Sequence, residues 1–227
     1  MALVTANDVS RTYGRGRTSV VAVHGATCAV RAGEQIALTG PSGSGKSTLL
    51  HLLGGLDRPT TGDVRWPALG GPPATVPAGT IGLVFQGPSL LPDLDVAENV
   101  ALPLVLAGHR EAEAGGRALT LLADLDLGEL ARKLPEEISG GQAQRVAVAR
   151  ALIGEPRLIL ADEPTGQLDH VSAAAVIRLL IERARRLGAG LLITTHDPAV
   201  AAQLATRWEM ADGRPTLTPA ALSTDGR

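Results

Sequence analysis

Short apolar runs alternate with longer stretches of helical spacing along most of this chain. Residues 26–39 (TCAVRAGEQIALTG) hold two such runs around Arg31-Ala32-Gly33-Glu34, which predicts a hairpin or a strand, a turn and a second strand. The second run feeds a glycine-rich loop, and beyond it Leu49, Leu50, Leu52 and Leu53 fall on helical spacing that closes at Gly54-Gly55. Residues 62–80 are rich in Gly, Pro and Ala and read as a loop or irregular edge. Residues 81–85 are strand-like and end at Gln86, and 96–132 carry Leu/Ala-rich stretches of helical spacing with a predicted break at Gly115-Gly116. Apolar runs at 158–161 and 191–195 each follow a helical stretch, 140–153 and 171–187. That β/α alternation belongs to a buried parallel sheet. The polar stretch from Asp212 to the end, with its two prolines, reads as a poorly ordered tail.

At 227 residues and 44% apolar content the chain can bury a full core as one large domain. Its 21 basic and 23 acidic residues give a net charge of −2, so no polybasic surface argues for nucleic acid or anionic lipid as the main partner. Cys28, the single cysteine, excludes an internal disulfide framework and a zinc cage of cysteines, and reads as a small buried hydrophobe. No run approaches the ~18–20 apolar residues that cross a bilayer, which predicts a cytosolic or peripheral protein. Lys46 and Lys133 are the only lysines beside 19 arginines, and Lys46 sits inside the glycine-rich loop.

That loop, Gly40-Pro41-Ser42-Gly43-Ser44-Gly45-Lys46-Ser47-Thr48, fills the pattern G-x-x-x-x-G-K-[ST] between a strand and a helix. Glycines let successive N–H groups turn toward phosphate oxygens, the helix N-terminus adds partial positive charge, Lys46 reaches the β- and γ-phosphates, and Ser47 is placed to ligate Mg²⁺. The run Leu158-Ile159-Leu160-Ala161 delivers Asp162 and Glu163 to the carboxyl end of a strand. There they can serve as metal ligand and general base, where an isolated acidic pair would read only as a solvated turn. Ser139 with Gln142 three residues on is a capping-box pattern; Gly140-Gly141 at a helix start equally offers N–H donors to a phosphate, with Ser139 adding a hydroxyl. Spacing does not choose between the two. His196 closes another strand-like run, whereas His24, His51, His109 and His170 have no such placement.

Five motifs in order, GPSGSGKST, VFQ at 84–86, ISGGQAQRVAVARAL from 138, LILADEPTGQLD to 169 and ITTHDP at 193–198, resemble those of ABC-type ATPase domains over about residues 3–215. The resemblance implies an α/β P-loop NTPase fold with an N-terminal antiparallel β-subdomain and an inserted α-helical subdomain. In this single domain, 1–87 and 151–215 form the catalytic core with its β-subdomain, 88–150 the helical subdomain and 216–227 a tail. It implies that Ser139, Gly140, Gly141 and Gln142 form a signature contacting ATP held by a second subunit. The same resemblance implies that Gln86 senses Mg²⁺ and the attacking water, that Asp169 lies at the dimer interface, that His196 contacts the γ-phosphate, and that Tyr13 stacks on adenine. Glu163, with Lys46, His196 and Gln86, is the implied catalytic set; Ser47, Asp162 and Gln86 the implied Mg²⁺ shell.

Ile138 departs from the family's usual Leu before the signature, a volume-conserving change, and the 62–81 stretch is shorter than usual. The wording GPSLLPDLDVAENVALPLVLAG, ADEPTGQLD and THDPAVA is similar to ATPases of the lipoprotein-release, macrolide-efflux and cell-division group. Such a protein is implied to dimerise on ATP and to power transmembrane permease subunits from the cytoplasmic side of the membrane. The other reading of the same resemblance is coupling to a membrane protein for mechanical or regulatory signalling. The apolar, proline-punctuated stretch 89–103 suits a groove for a membrane partner, with about half of its leucines expected in the subdomain core.

Overall fold

The computed structural model describes residues 1–218. Three strands, β1 (Ala2–Tyr13), β2 (Val20–Arg31) and β4 (Thr61–Arg65), form an antiparallel sheet in the order β2-β1-β4. Six more, β3 (Gln35–Thr39), β5 (Ile81–Val84), β6 (Leu158–Asp162), β7 (Gly190–Thr194), β8 (Thr206–Ala211) and β9 (Arg214–Thr218), form a second sheet in the order β5-β6-β7-β3-β8-β9. Its first five strands are parallel and β9 runs antiparallel to β8. Burial on both faces is why β6 and β7 read as unbroken apolar runs: all five residues of each are buried.

Helices α1 (Lys46–Leu53) and α5 (His170–Leu187) pack against this sheet, and the short α6 (Pro198–Ala201) follows β7. Leu49, Leu50, Leu52 and Leu53 of α1 are all buried between the two sheets in one core with Val4, Val23, Leu38 and Leu160. Each such leucine is worth roughly 1.5–3 kcal/mol of burial. Cys28 lies in the same core, where desolvation pushes its thiol pKa up to about 12. Helices α2 (Val96–Leu106), α3 (Glu111–Asp124) and α4 (Gly140–Leu152) enclose a separate core built on Val96, Val100, Leu104, Leu122 and Val146. The fully buried Asn99 is satisfied by accepting from Leu91 N and donating to the carbonyls of Leu91, Leu94 and Asp95, which fixes the turn before α2.

One alternative is settled and three expectations change. The segment 26–39 is strand-turn-strand but not a hairpin, because β2 pairs with β1 while β3 lies between β7 and β8 in the other sheet. Residues 61–65 form edge strand β4, so the irregular stretch begins after it. Gly115 and Gly116 lie inside α3; the helical break falls instead before Glu111, where Gly108 takes φ +90°. The polar stretch after Asp212 supplies β9, paired with β8 from Ala211↔Arg214 to Arg207↔Thr218; residues 219–227 of the expected tail lie outside those described.

Candidate functional site

The loop between β3 and α1 needs glycine for steric reasons. Gly40 has φ +145° and Gly45, the residue before α1, φ +100°; a Cβ would meet the Met210 carbonyl oxygen at the first and the Ala22 carbonyl oxygen at the second. Ser42, Gly43, Gly45, Lys46, Ser47 and Thr48 line an open cleft of about 320 Å³ together with Ala22, Gln86 and Glu163. Lys46 is 5% exposed, and its Nζ donates to the carbonyls of Gly40 and Pro41, both at 3.0 Å. Ser44 is also buried, and its Oγ has no hydrogen-bond partner among the described residues.

Parallel pairing brings the ends of β6 and β7 to the mouth of this loop. Asp162 Oδ1 accepts from Ser47 Oγ at 2.9 Å and from Thr194 Oγ1 at 2.6 Å. Glu163 takes the left-handed φ of +40°, a conformation that costs a non-glycine residue of order 1 kcal/mol. It is held there because its N–H donates to Thr194 Oγ1 at 2.8 Å and to the Thr194 carbonyl at 3.2 Å, while its own carbonyl accepts from Gly166 N. That backbone twist turns the carboxylate between two cleft groups, with Oε1 3.6 Å from Lys46 Nζ and Oε2 3.2 Å from His196 Nδ1. Gln86 completes the group across Gly166, where a Cβ would stand 3.3 Å from Gln86 Nε2 and 3.7 Å from Glu163 Oε2.

The residues present fit a nucleotide phosphate and a divalent cation. At Gly40 and Gly45 the loop leaves no room for a side chain, a buried hydroxyl lacks a partner among the described residues, and a buried ammonium is held by neutral carbonyls beside one carboxylate. Ser47 Oγ and the Asp162 carboxylate form an oxygen donor pair of the kind hard cations prefer.

The sequence pattern of the ABC transporter family matches residues 23–166. The chain belongs to the ABC transporter family. Its fold is that of MJ0796, a bacterial ABC transporter cassette whose dimer is known in a post-hydrolysis state with ADP and Pi, at 34% identity and TM-score 0.83 over 94% of this chain and 98% of that one. It is also similar to cbiO1 from Clostridium perfringens, part of the ABC transporter complex cbiONQ, at 27% identity and TM-score 0.79 over 96% of this chain and 88% of that one. As an ABC ATPase domain it therefore has the expected α/β architecture, and no helix among the described residues is long and apolar enough to cross a membrane.

The remaining predicted residues of this ABC domain lie outside the cleft. Ser139 caps α4, accepting from Gln142 N at 3.2 Å while Gln142 Oε1 accepts from Ser139 N at 2.9 Å, so the capping box is real. Ser139 and Gly140 are exposed, which leaves the same helix start open to a partner. Asp169 caps α5 through Val171 N and Ser172 N, and the Ser172 hydroxyl donates to its Oδ2 at 2.7 Å, holding the carboxyl below the usual aspartate range. Tyr13, 40% exposed, donates from its hydroxyl to Asp57 Oδ2 at 2.7 Å, and the Arg11 guanidinium lies 4.5 Å from its ring centroid. The Tyr13 and Arg11 contacts keep the Asp57 carboxyl below its ordinary value although burial works the other way.

Sequence reasoning missed two residues. Thr194 holds both Asp162 and Glu163, yet in the run LLITT nothing sets it apart from a buried strand threonine. His51 stands 3.9 Å from Asp162 Oδ2, and its spacing of four from Ser47 on α1 was the available signal.

Proposed function

We propose that this chain is the ATP-hydrolysing subunit of an ABC transporter, acting as a dimer that closes on two molecules of ATP·Mg²⁺ and drives permease subunits of an efflux or lipoprotein-release type from the cytoplasmic face of the membrane. The observation that carries this reading is the placement of one carboxylate, Glu163, between Lys46 and His196 at the mouth of the glycine loop.

In this reading loop N–H groups and Lys46 bind the phosphates, Lys46 exchanging its carbonyl partners for phosphate oxygens. Ser47 and Asp162, with Gln86, would hold Mg²⁺, which when bound neutralises charge on the β- and γ-phosphates. Glu163 orients the attacking water and takes its proton; His196 holds the Glu163 carboxylate and reaches the γ-phosphate. Ser139, Gly140 and Gly141 of the second subunit complete each site, in keeping with their not lining this chain's own cleft and with the dimeric form of MJ0796. Tyr13, whose ring carries the Arg11 guanidinium and is 40% exposed, stacks on the adenine. An apolar cleft between β5 and α2, lined by Ile81, Leu83, Phe85, Leu102 and Leu106, supports a helix-in-groove contact with the permease.

Glu163→Gln is expected to bind ATP, to lose turnover by about 10²–10³-fold and to run as a dimer in ATP, whereas Lys46→Ala loses phosphate affinity and stays monomeric. Gel filtration with and without ATP reads both, and a Glu163→Gln chain that stays monomeric in ATP while wild type turns over contradicts the two-subunit mechanism. With ATP the same variant is the bait for the membrane partner. Four transmembrane helices and a large outside domain support the efflux or lipoprotein-release type, and six or more contradict it.

A further inference from the structure

Gln86 sits in a segment with little hold on the sheet it leaves. Residues 85–89 make no backbone–backbone hydrogen bond among the described residues, and Ser89 adopts the left-handed φ of +47°. What holds this segment comes from α4. Gln144 Nε2 donates to the Phe85 carbonyl at 2.9 Å, and the Arg150 guanidinium donates to the Pro88 carbonyl at 3.1 Å and the Ser89 carbonyl at 2.9 Å. The three bonds bracket Gln86 and Gly87 on both sides.

Both side chains pay heavily in solvation for these contacts. Gln144 is 1% exposed, and its Oε1, also buried, accepts from no donor among the described residues. The amide is thus kept in the core for the one bond its nitrogen makes. Arg150 has no carboxylate within ion-pair distance among the described residues, and burial lowers its pKa, so this cation is satisfied by loop carbonyls. Helix α4 also carries Ser139 and Gly140 at its exposed N-terminus.

We infer that Gln144 and Arg150 are positioning residues that hang the Gln86 loop on α4, so that the loop and the Ser139-Gly140-Gly141 segment shift as one body. The inference rests on the proposed ATP-driven dimer and adds the connection inside each chain. A displacement of Gln86 at the cleft reaches the helix start through side-chain bonds to three carbonyls, with no covalent shortcut, because α2 and α3 intervene in sequence.

Gln144→Met keeps the side-chain volume, removes the donor and removes the unpartnered amide oxygen. A packing role for Gln144 leaves the melting temperature and turnover as they were. The linking role predicts an unchanged or raised melting temperature, kcat lower by about tenfold and KM for ATP within about twofold of wild type. In a Glu163→Gln background, the added Gln144→Met keeps binding of a fluorescent ATP analogue but weakens the ATP-dependent dimer on gel filtration. Arg150→Met behaves alike, and Arg150→Lys, which keeps a donor, restores part of the turnover. Because both residues serve one loop, the double variant loses less than the product of the single losses. Unchanged kcat and dimer in both Met variants beside an active wild type overturns the link alone. A wild type that neither hydrolyses ATP nor dimerises overturns the underlying reading and the link with it.

Discussion

The glycines of the phosphate loop and those of α3 look alike in sequence and do opposite things. At Gly45 the backbone is left-handed and the place of a Cβ is taken by the Ala22 carbonyl oxygen, so the chain's path there exists only without a side chain. At Gly115 and Gly116 the backbone is helical and a Cβ would meet nothing within 4 Å, so both glycines only weaken the helix that contains them. Gly140 and Gly141, at the start of α4, fall between: the first is open, and at the second a Cβ would stand 2.6 Å from the Ser172 hydroxyl. What separates Gly45 from the two helical pairs is what stands where a Cβ would go, a backbone carbonyl, a side chain or nothing, a tertiary fact that composition does not carry.

The sharpest way to break this comparison is Gly45→Ala. Left-handed strain and collision with a backbone carbonyl are each worth about 1–3 kcal/mol, so the variant should lose ATP binding and melt well below wild type. Nucleotide titration and thermal unfolding read it; wild-type affinity would show that the loop tolerates a methyl group. Gly141→Ala should be milder, because Ser172 can rotate away, giving up Asp169. The helical gain of Ala over Gly, about 1 kcal/mol, then offsets that loss near neutral pH and leaves the melting temperature close to wild type, while ATP-dependent dimerisation weakens. Its pH dependence sharpens the test. Asp169 has a folded pKa below its unfolded value, so the contribution of its cap is present above the unfolded pKa of about 4 and lost as pH falls through the folded one. Without Ser172 that acid-side loss should shrink. The smallest effect is a gain. Gly115→Ala and Gly116→Ala should each stabilise by about 1 kcal/mol, or about 2–4 °C in melting temperature, with turnover unchanged. A loss of stability at either would mean that α3 needs its flexibility.

The sequence was most legible where one element fixes both sides of a motif. The strand, loop and helix around Lys46, and the acids after β6, were placed by short apolar runs that two-sided burial makes continuous. It was least legible where alternation is interrupted or polar. Strand β1 shifts register between Ala6 and Val9, where Asp8 takes φ +49°, and β4 and β9 are short and polar because each is an edge. Gly115-Gly116 misled because an isolated helical glycine carries the same letter as a helix-ending one. Within the site, residues that touch the phosphate loop directly were named from motifs, but Thr194, Gln144 and Arg150 hydrogen-bond to partners far away in sequence. No local pattern marks such a residue until the sheet is assembled.

The position of β3 has a consequence for how the protein comes into being. The strand that presents the phosphate loop is hydrogen-bonded on one side to β7 and on the other to β8, with Leu38 between Thr194 and Trp208. Both neighbours follow far down the chain, β7 from Gly190 and β8 from Thr206, so a nascent chain carries the complete GPSGSGKST motif long before either can flank β3. Closing loops of that length is slow, and it precedes any reward from pairing. A chain interrupted before β7 would therefore have every residue of the loop and neither of the strands that flank β3, which makes completion of the sheet the step that switches nucleotide affinity on.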